Sequence, residues 1–192
     1  KISVGVEDFK EIIDRNGYFV DKTPMLAELM ESNTKVTLFT RPRRFGKTMA
    51  ANMVSAYYDR TVDGAAEFAG LAIAHDPSFD RQRNNYDVLK LNMQEFWTKS
   101  KHNVVAMVAD LQDAILFDLL DEYADLRFRN ASDMVEVLSS VYAQTGRQFV
   151  VVIDEWDCIM RESADDLVAL LAREHRRTFP HVVLQVETHV HL

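Results

Sequence analysis

The chain has 192 residues, 22 of them basic and 30 acidic, for a formal net charge of −8, with 47% hydrophobic and 27% charged residues. That balance suits one globular domain long enough to bury a core, and its acidity argues against a surface that coats nucleic acid or anionic membrane throughout. A single cysteine, Cys158, excludes an internal disulfide framework and fits a reducing compartment, and no apolar run approaches the ~20 residues that cross a bilayer.

Glu7 to Asn16 reads as a short helix ended by Gly17, with Tyr18 to Val20 extended after it. Thr23-Pro24 has the form of an N-cap followed by proline in the first helical position, opening a helix to Glu31. Lys35 to Thr40, β-branched and apolar, predicts a buried strand. After RPRRFGKT, Lys47 to Tyr58 predicts a helix with Met49, Met53, Val54 and Tyr57 on one face. His75 to Tyr86, polar and carrying Pro77, reads as a loop, and Val88 to Met93 as a second strand. Val104, Val108, Leu111, Ile115 and Leu119 recur at helical spacing, as do Met134, Leu138 and Val141. Gln148 to Ile153 is apolar enough for a central strand; Ser163 opens another helix, and His181 to Val186 reads as a fourth strand. No repeats or low-complexity stretches interrupt this alternation, which indicates an α/β fold with a mostly parallel sheet.

Two segments carry chemistry. In TRPRRFGKT the Gly46-Lys47-Thr48 end matches the phosphate-loop pattern G-x-x-x-x-G-K-[ST], with Arg41 where the first glycine would stand. A loop feeding a helix N-terminus aims backbone N–H groups at phosphate. Gly46 permits close approach, Lys47 reaches the β and γ phosphates, and the Thr48 hydroxyl suits Mg²⁺. Alone, this segment also fits a surface loop with a solvated basic cluster. The second segment, FVVVIDEWD, is an apolar strand ending in Asp154-Glu155, the pattern of a Walker B segment. Asp154 would hold Mg²⁺ and Glu155 would orient and polarise the attacking water. Alone, it also fits a strand ending in a polar turn; the two together point to a nucleotide site.

GYFVDKT, LFTRPRRFGKT and VVIDEWDCIMRE, in order between Val4 and Glu162, resemble the AAA-ATPase-like family of predicted P-loop ATPases widespread in bacteria. The arginine-rich phosphate loop after a DKT segment is that family's own variant, and it too lacks the first glycine. The resemblance implies a P-loop NTPase three-layer sandwich around a mostly parallel sheet, here one domain over residues 1–192 and incomplete at its C-terminal end. It implies nucleotide contacts from Arg41, Pro42, Arg43, Arg44, Phe45, Gly46, Lys47, Thr48 and Met49, metal contacts from Thr48 and Asp154, and catalysis by Glu155 and Lys47, with ATP and Mg²⁺ as ligands. Members often continue into a C-terminal nuclease-like domain, which nothing in this sequence supports. The resemblance fades after Glu162, where Thr188 is a weak stand-in for the family's sensor residue.

Asp21-Lys22-Thr23 is a candidate base or ribose contact, with helix capping by Thr23 the alternative. Arg41, Arg43 and Arg44 suit phosphate or an acidic partner. Cys158 and Trp97 read as packing residues, while Trp156 sits in sequence beside Glu155, on Asp154's side if the strand runs on. His181, His189 and His191 lack a second spaced set of metal ligands. Mg²⁺-dependent ATP binding with hydrolysis coupled to a conformational output is the expectation; the alternative is a nucleotide-binding regulatory module without useful turnover. No basic-then-apolar leader opens the chain and it begins at Lys1, so we expect a cytoplasmic fragment with no signal peptide and no membrane partner. Nucleic acid and a homo-oligomer stay open as partners.

Overall fold

The computed structural model describes residues 9–15, 17–32, 34–40, 46–159 and 183–187, giving the backbone alone at 40 and 183–187. The helix expected from Ser163, the sensor stand-in Thr188 and the three tail histidines lie outside the described residues.

Helix α1, Phe9–Asp14, turns Phe9 and Ile12 inward, and the Gly17 N–H donates back to the Ile12 carbonyl at 2.9 Å. Helix α2, Pro24–Glu31, starts on its proline as the sequence predicts, but Thr23 makes no side-chain cap. The Thr23 hydroxyl instead donates to Asp21 at 2.6 Å. Strand β1, Val36–Thr40, runs to the phosphate-loop segment, and helix α3, Lys47–Tyr58, follows it with the predicted bounds. One-turn helix α4, Ala65–Phe68, and a 3-10 turn, Ala72–His75, come next. The stretch expected as a loop, His75 to Tyr86, holds one-turn helix α5, Phe79–Gln82. The Asp76 carboxylate accepts from the Ser78 N–H at 2.8 Å and so sets up α5. Strand β2, Asp87–Asn92, runs straight into helix α6, Met93–Lys99, which the sequence reading did not foresee. Helices α7, Val104–Glu122, and α8, Met134–Thr145, follow. Strand β3, Phe149–Asp154, ends on the first acid of the DE pair, and strand β4 is Val183–Glu187.

The described strands form one sheet in the order β1-β4-β3-β2. Strand β4 is parallel to both neighbours, Val183 pairing with Val36 on one side and Val151 on the other. A strand late in sequence therefore separates the strand before the phosphate loop from the strand bearing the acids. Parallel neighbours need long crossovers, which is why the pairing skips along the chain. Strand β1 departs from the buried strand expected, with Val36 and Leu38 55% and 46% exposed; it is one of the two edge strands of the described sheet.

Two compact units emerge. The first holds α1–α5, β1, β3, β4 and β2 as far as Leu91. Its core joins Phe9, Leu26, Met53, Val54, Tyr57, Phe68, Val150 and Val152, with Phe9 against Phe68 at 5.0 Å between ring centroids. The Tyr57 hydroxyl satisfies itself by donating to the Phe79 carbonyl at 2.6 Å. The second unit holds α6–α8 and the turn after β3. Asn92, Asn103 and Asp133 cap its helices through side-chain oxygens, and Trp97, Val104, Met107, Cys158 and Ile159 form its buried cluster. Trp97 and Cys158 are thus packing residues, as their sequence setting predicts.

Candidate nucleotide site

Gly46 stands at the N-cap of α3 with φ 72°, ψ 37°. That left-handed conformation costs a residue with a Cβ roughly 1–2 kcal/mol, so glycine is needed here for backbone reasons alone. Lys47 and Thr48 occupy the first helical turn, where N–H groups have no intrahelical acceptor, and that turn contains no acidic residue. Lys47 is only 7% exposed, with its Nζ shielded from solvent; Thr48 is half-buried. Met49 packs against the core of the first unit. Arg41, Pro42, Arg43, Arg44 and Phe45 lie outside the described residues.

The sheet brings Asp154 to the same edge. Gln185 pairs with Leu38 in β1 and with Ile153 in β3, so Asp154 is level with Phe39, one residue short of the end of β1. Strand alternation puts Asp154 on the face of Val150 and Val152, and both valines share a core with Met53 and Val54 of α3. Asp154 is 3% exposed. The acid therefore ends the strand face that packs with α3.

Strand geometry stops there. Glu155 has φ 54°, a turn follows, and the Cys158 N–H donates to the Glu155 carbonyl at 3.1 Å. Alternation consequently does not carry from Asp154 to Trp156, contrary to the sequence reading. A positive φ on a glutamate is uncommon and belongs among the strained conformations that gather at functional positions.

The outer residues of the DKT segment bond to the chain itself, and Thr23 does not cap α2 with its side chain. The Asp21 carboxylate accepts from the Thr23 N–H at 2.9 Å, the Thr23 hydroxyl at 2.6 Å and the Ala72 N–H at 2.7 Å. Burial works against its ionisation, but these hydrogen bonds outweigh it and hold the carboxyl below the usual aspartate value. Thr23 is completely buried and its hydroxyl oxygen also accepts from the Ile73 N–H at 3.2 Å. The middle residue points elsewhere: a Cβ built on Gly46 would stand 3.2 Å from the Lys22 Nζ. Sequence reasoning missed this lysine as a companion of the phosphate loop. Its place in a motif quoted together with that loop was the available signal.

The donors are oxygen and ammonium. A hydroxyl and a carboxylate form the set Mg²⁺ takes when phosphates and water complete its octahedron, so Thr48 and Asp154 fit that ion chemically. Among the described residues no helix is long and apolar enough to cross a membrane. Compared with known proteins, the chain matches over residues 3–192 the model of the AAA-ATPase-like family, described as a predicted AAA-ATPase. No curated protein and no solved structure matches it.

Proposed function

The chain belongs to the AAA-ATPase-like family, and from that premise we propose that it binds ATP with Mg²⁺ at the start of α3 and hydrolyses it to drive a conformational change. The observation that supports this reading is that β3 ends in a buried aspartate on the face whose valines pack with α3, and that α3 itself opens with glycine, lysine and threonine. Opposite charges and a helix N-terminus are what a metal-bound polyphosphate requires.

On this reading residues 41–49 wrap the phosphates and Lys47 offsets their charge. Thr48 and Asp154 hold Mg²⁺, which, when bound, neutralises charge building on the phosphate oxygens. Glu155 orients a water and accepts its proton. An ATP-supplied, reducing bacterial cytoplasm is the setting this chemistry implies.

Calorimetric titration with ATP and Mg²⁺ tests the assignment. Lys47→Ala should abolish tight binding while the fold persists; unchanged affinity would remove the site from α3. Phosphate release separates an ATPase from a regulatory module without turnover. Release abolished by Glu155→Gln, with binding kept, supports the enzyme, and binding without any release supports the module.

A further inference from the structure

We propose that the outer face of α7 is a docking site for a protein partner that lays a cationic amphipathic helix along it, a role independent of the nucleotide reading.

Helix α7 is apolar on two sides. Its inward side supplies Val104, Met107, Ile115 and Leu119, each buried. One such stripe, with polar residues opposite, is all that a surface helix needs in order to pack on its own domain. At 3.6 residues per turn, however, Val105, Ala106, Ala109, Phe117 and Leu120 fall together within about a third of the circumference on the outward side. Phe117 is 74% exposed and Val105 66%. Ala106 and Ala109 are exposed as well, and Leu120 is half-buried. This second strip runs for about 22 Å along the axis. It has the length and direction of the ridge against which another helix of about four turns packs, and its exposed ring is the kind of anchor that dominates binding energy.

Charge names the occupant. Helix α7 contains no lysine, arginine or histidine. Asp113 stands inside the apolar strip, and Asp110 and Asp121 border it. Among the described residues, the side chains of these three aspartates make no hydrogen bond or ion pair. Like charges three positions apart, as at 110 and 113, weaken a helix, and no basic residue of α7 offsets them. Water alone would suit the carboxylates but not Phe117, which lies one turn from Asp113 and one from Asp121. Nucleic acid and anionic lipid would be repelled, and a second copy of α7 would set aspartates against aspartates. A helix whose apolar stripe is flanked by lysine or arginine answers both features: its stripe covers Phe117 and Val105 while its cations meet the three aspartates.

Two peptides probe the full chain by fluorescence anisotropy at physiological salt: a helical one with a leucine stripe flanked by lysines, and a scrambled one of the same composition whose leucines share no face. Wild type should bind the striped peptide about tenfold more tightly than the scrambled one, and Phe117→Ser should lose most of that difference. Asp113→Asn combined with Asp121→Asn should weaken binding about threefold and flatten its salt dependence. Melting temperatures without peptide should match wild type. No binding, equal affinity for the two peptides, or an unchanged preference in Phe117→Ser would each overturn the proposal. A Phe117→Ser protein melting well below wild type would overturn it in favour of internal packing. Wild-type self-association in sedimentation, removed by Phe117→Ser, would give the face to a second copy of the chain and overturn it too.

Discussion

At Glu155 backbone strain coincides with the water-orienting role proposed above. Its φ of 54° costs of the order of 1–2 kcal/mol for a side chain with a Cβ, and glycine would adopt it freely. Glu155→Gln keeps that strain and Glu155→Gly relieves it. The glycine variant should therefore be more stable than the glutamine variant by about 1 kcal/mol, with neither releasing phosphate from ATP. Urea unfolding of the two proteins measures the difference. A glutamine variant as stable as the glycine one would mean that the turn stores no strain at this position. Asp21 shows a second kind of residue-level economy. Its carboxyl lies below the ordinary aspartate value of 3.8 because donated hydrogen bonds outweigh its burial. A carboxyl whose pKa falls on folding adds stability above 3.8, and this is lost as pH drops through the lower, folded value. The stability gap between wild type and Asp21→Asn should accordingly be widest near neutral pH and shrink as pH falls below 3.8. Equal gaps at both ends would place the asparagine penalty in shape rather than charge.

At the scale of single elements, local chemistry sets the ends. Helix α8 starts on Asp133, whose carboxylate accepts from the N–H groups of Val135 and Glu136 at 3.0 and 3.3 Å. It stops at Gly146, which has φ 71° with open space around any added Cβ. Asp133→Ala should cost about 1 kcal/mol through the lost cap, and Gly146→Ala about 1 kcal/mol through backbone strain alone. Chemical denaturation of each variant checks both. Gly46→Ala carries the same backbone cost, and there the added methyl also meets Lys22; its stability loss should match Gly146→Ala while its Mg-ATP affinity falls as well. The elements also show where sequence signals were strong. Thr23-Pro24 and the apolar face of residues 47–58 marked α2 and α3 accurately, since proline geometry and helical periodicity are local. The role of Thr23 was misread for a tertiary reason: an aspartate two residues back and the backbone of Ile73 compete for its hydroxyl. Helix α6 was missed because it starts without a break after β2 and spans only Met93–Lys99.

For the whole molecule, a ligand that binds only the folded state stabilises it by mass action. Mg-ATP at about a hundredfold above its Kd should add about 2.7 kcal/mol to the unfolding free energy, and Lys47→Ala should lose that increment. Thermal unfolding with and without ligand reads it directly. The motifs GKT and DE, the strand before each and the helix after the first were legible in the amino-acid sequence, because periodicity, β-branching and glycine chemistry act over a few residues. The sequence by itself thus determined an alternating α/β chain carrying the GKT and DE segments, and with them the resemblance to its family. Only the tertiary structure decided that β4 lies between β1 and β3, which puts Asp154 level with the end of β1. It also decided that the strand breaks at Glu155 and that Lys22 stands over Gly46. The physical reason is the same in each case: parallel pairing and side-chain approach join residues far apart in the chain, and no local propensity encodes which distant partner wins.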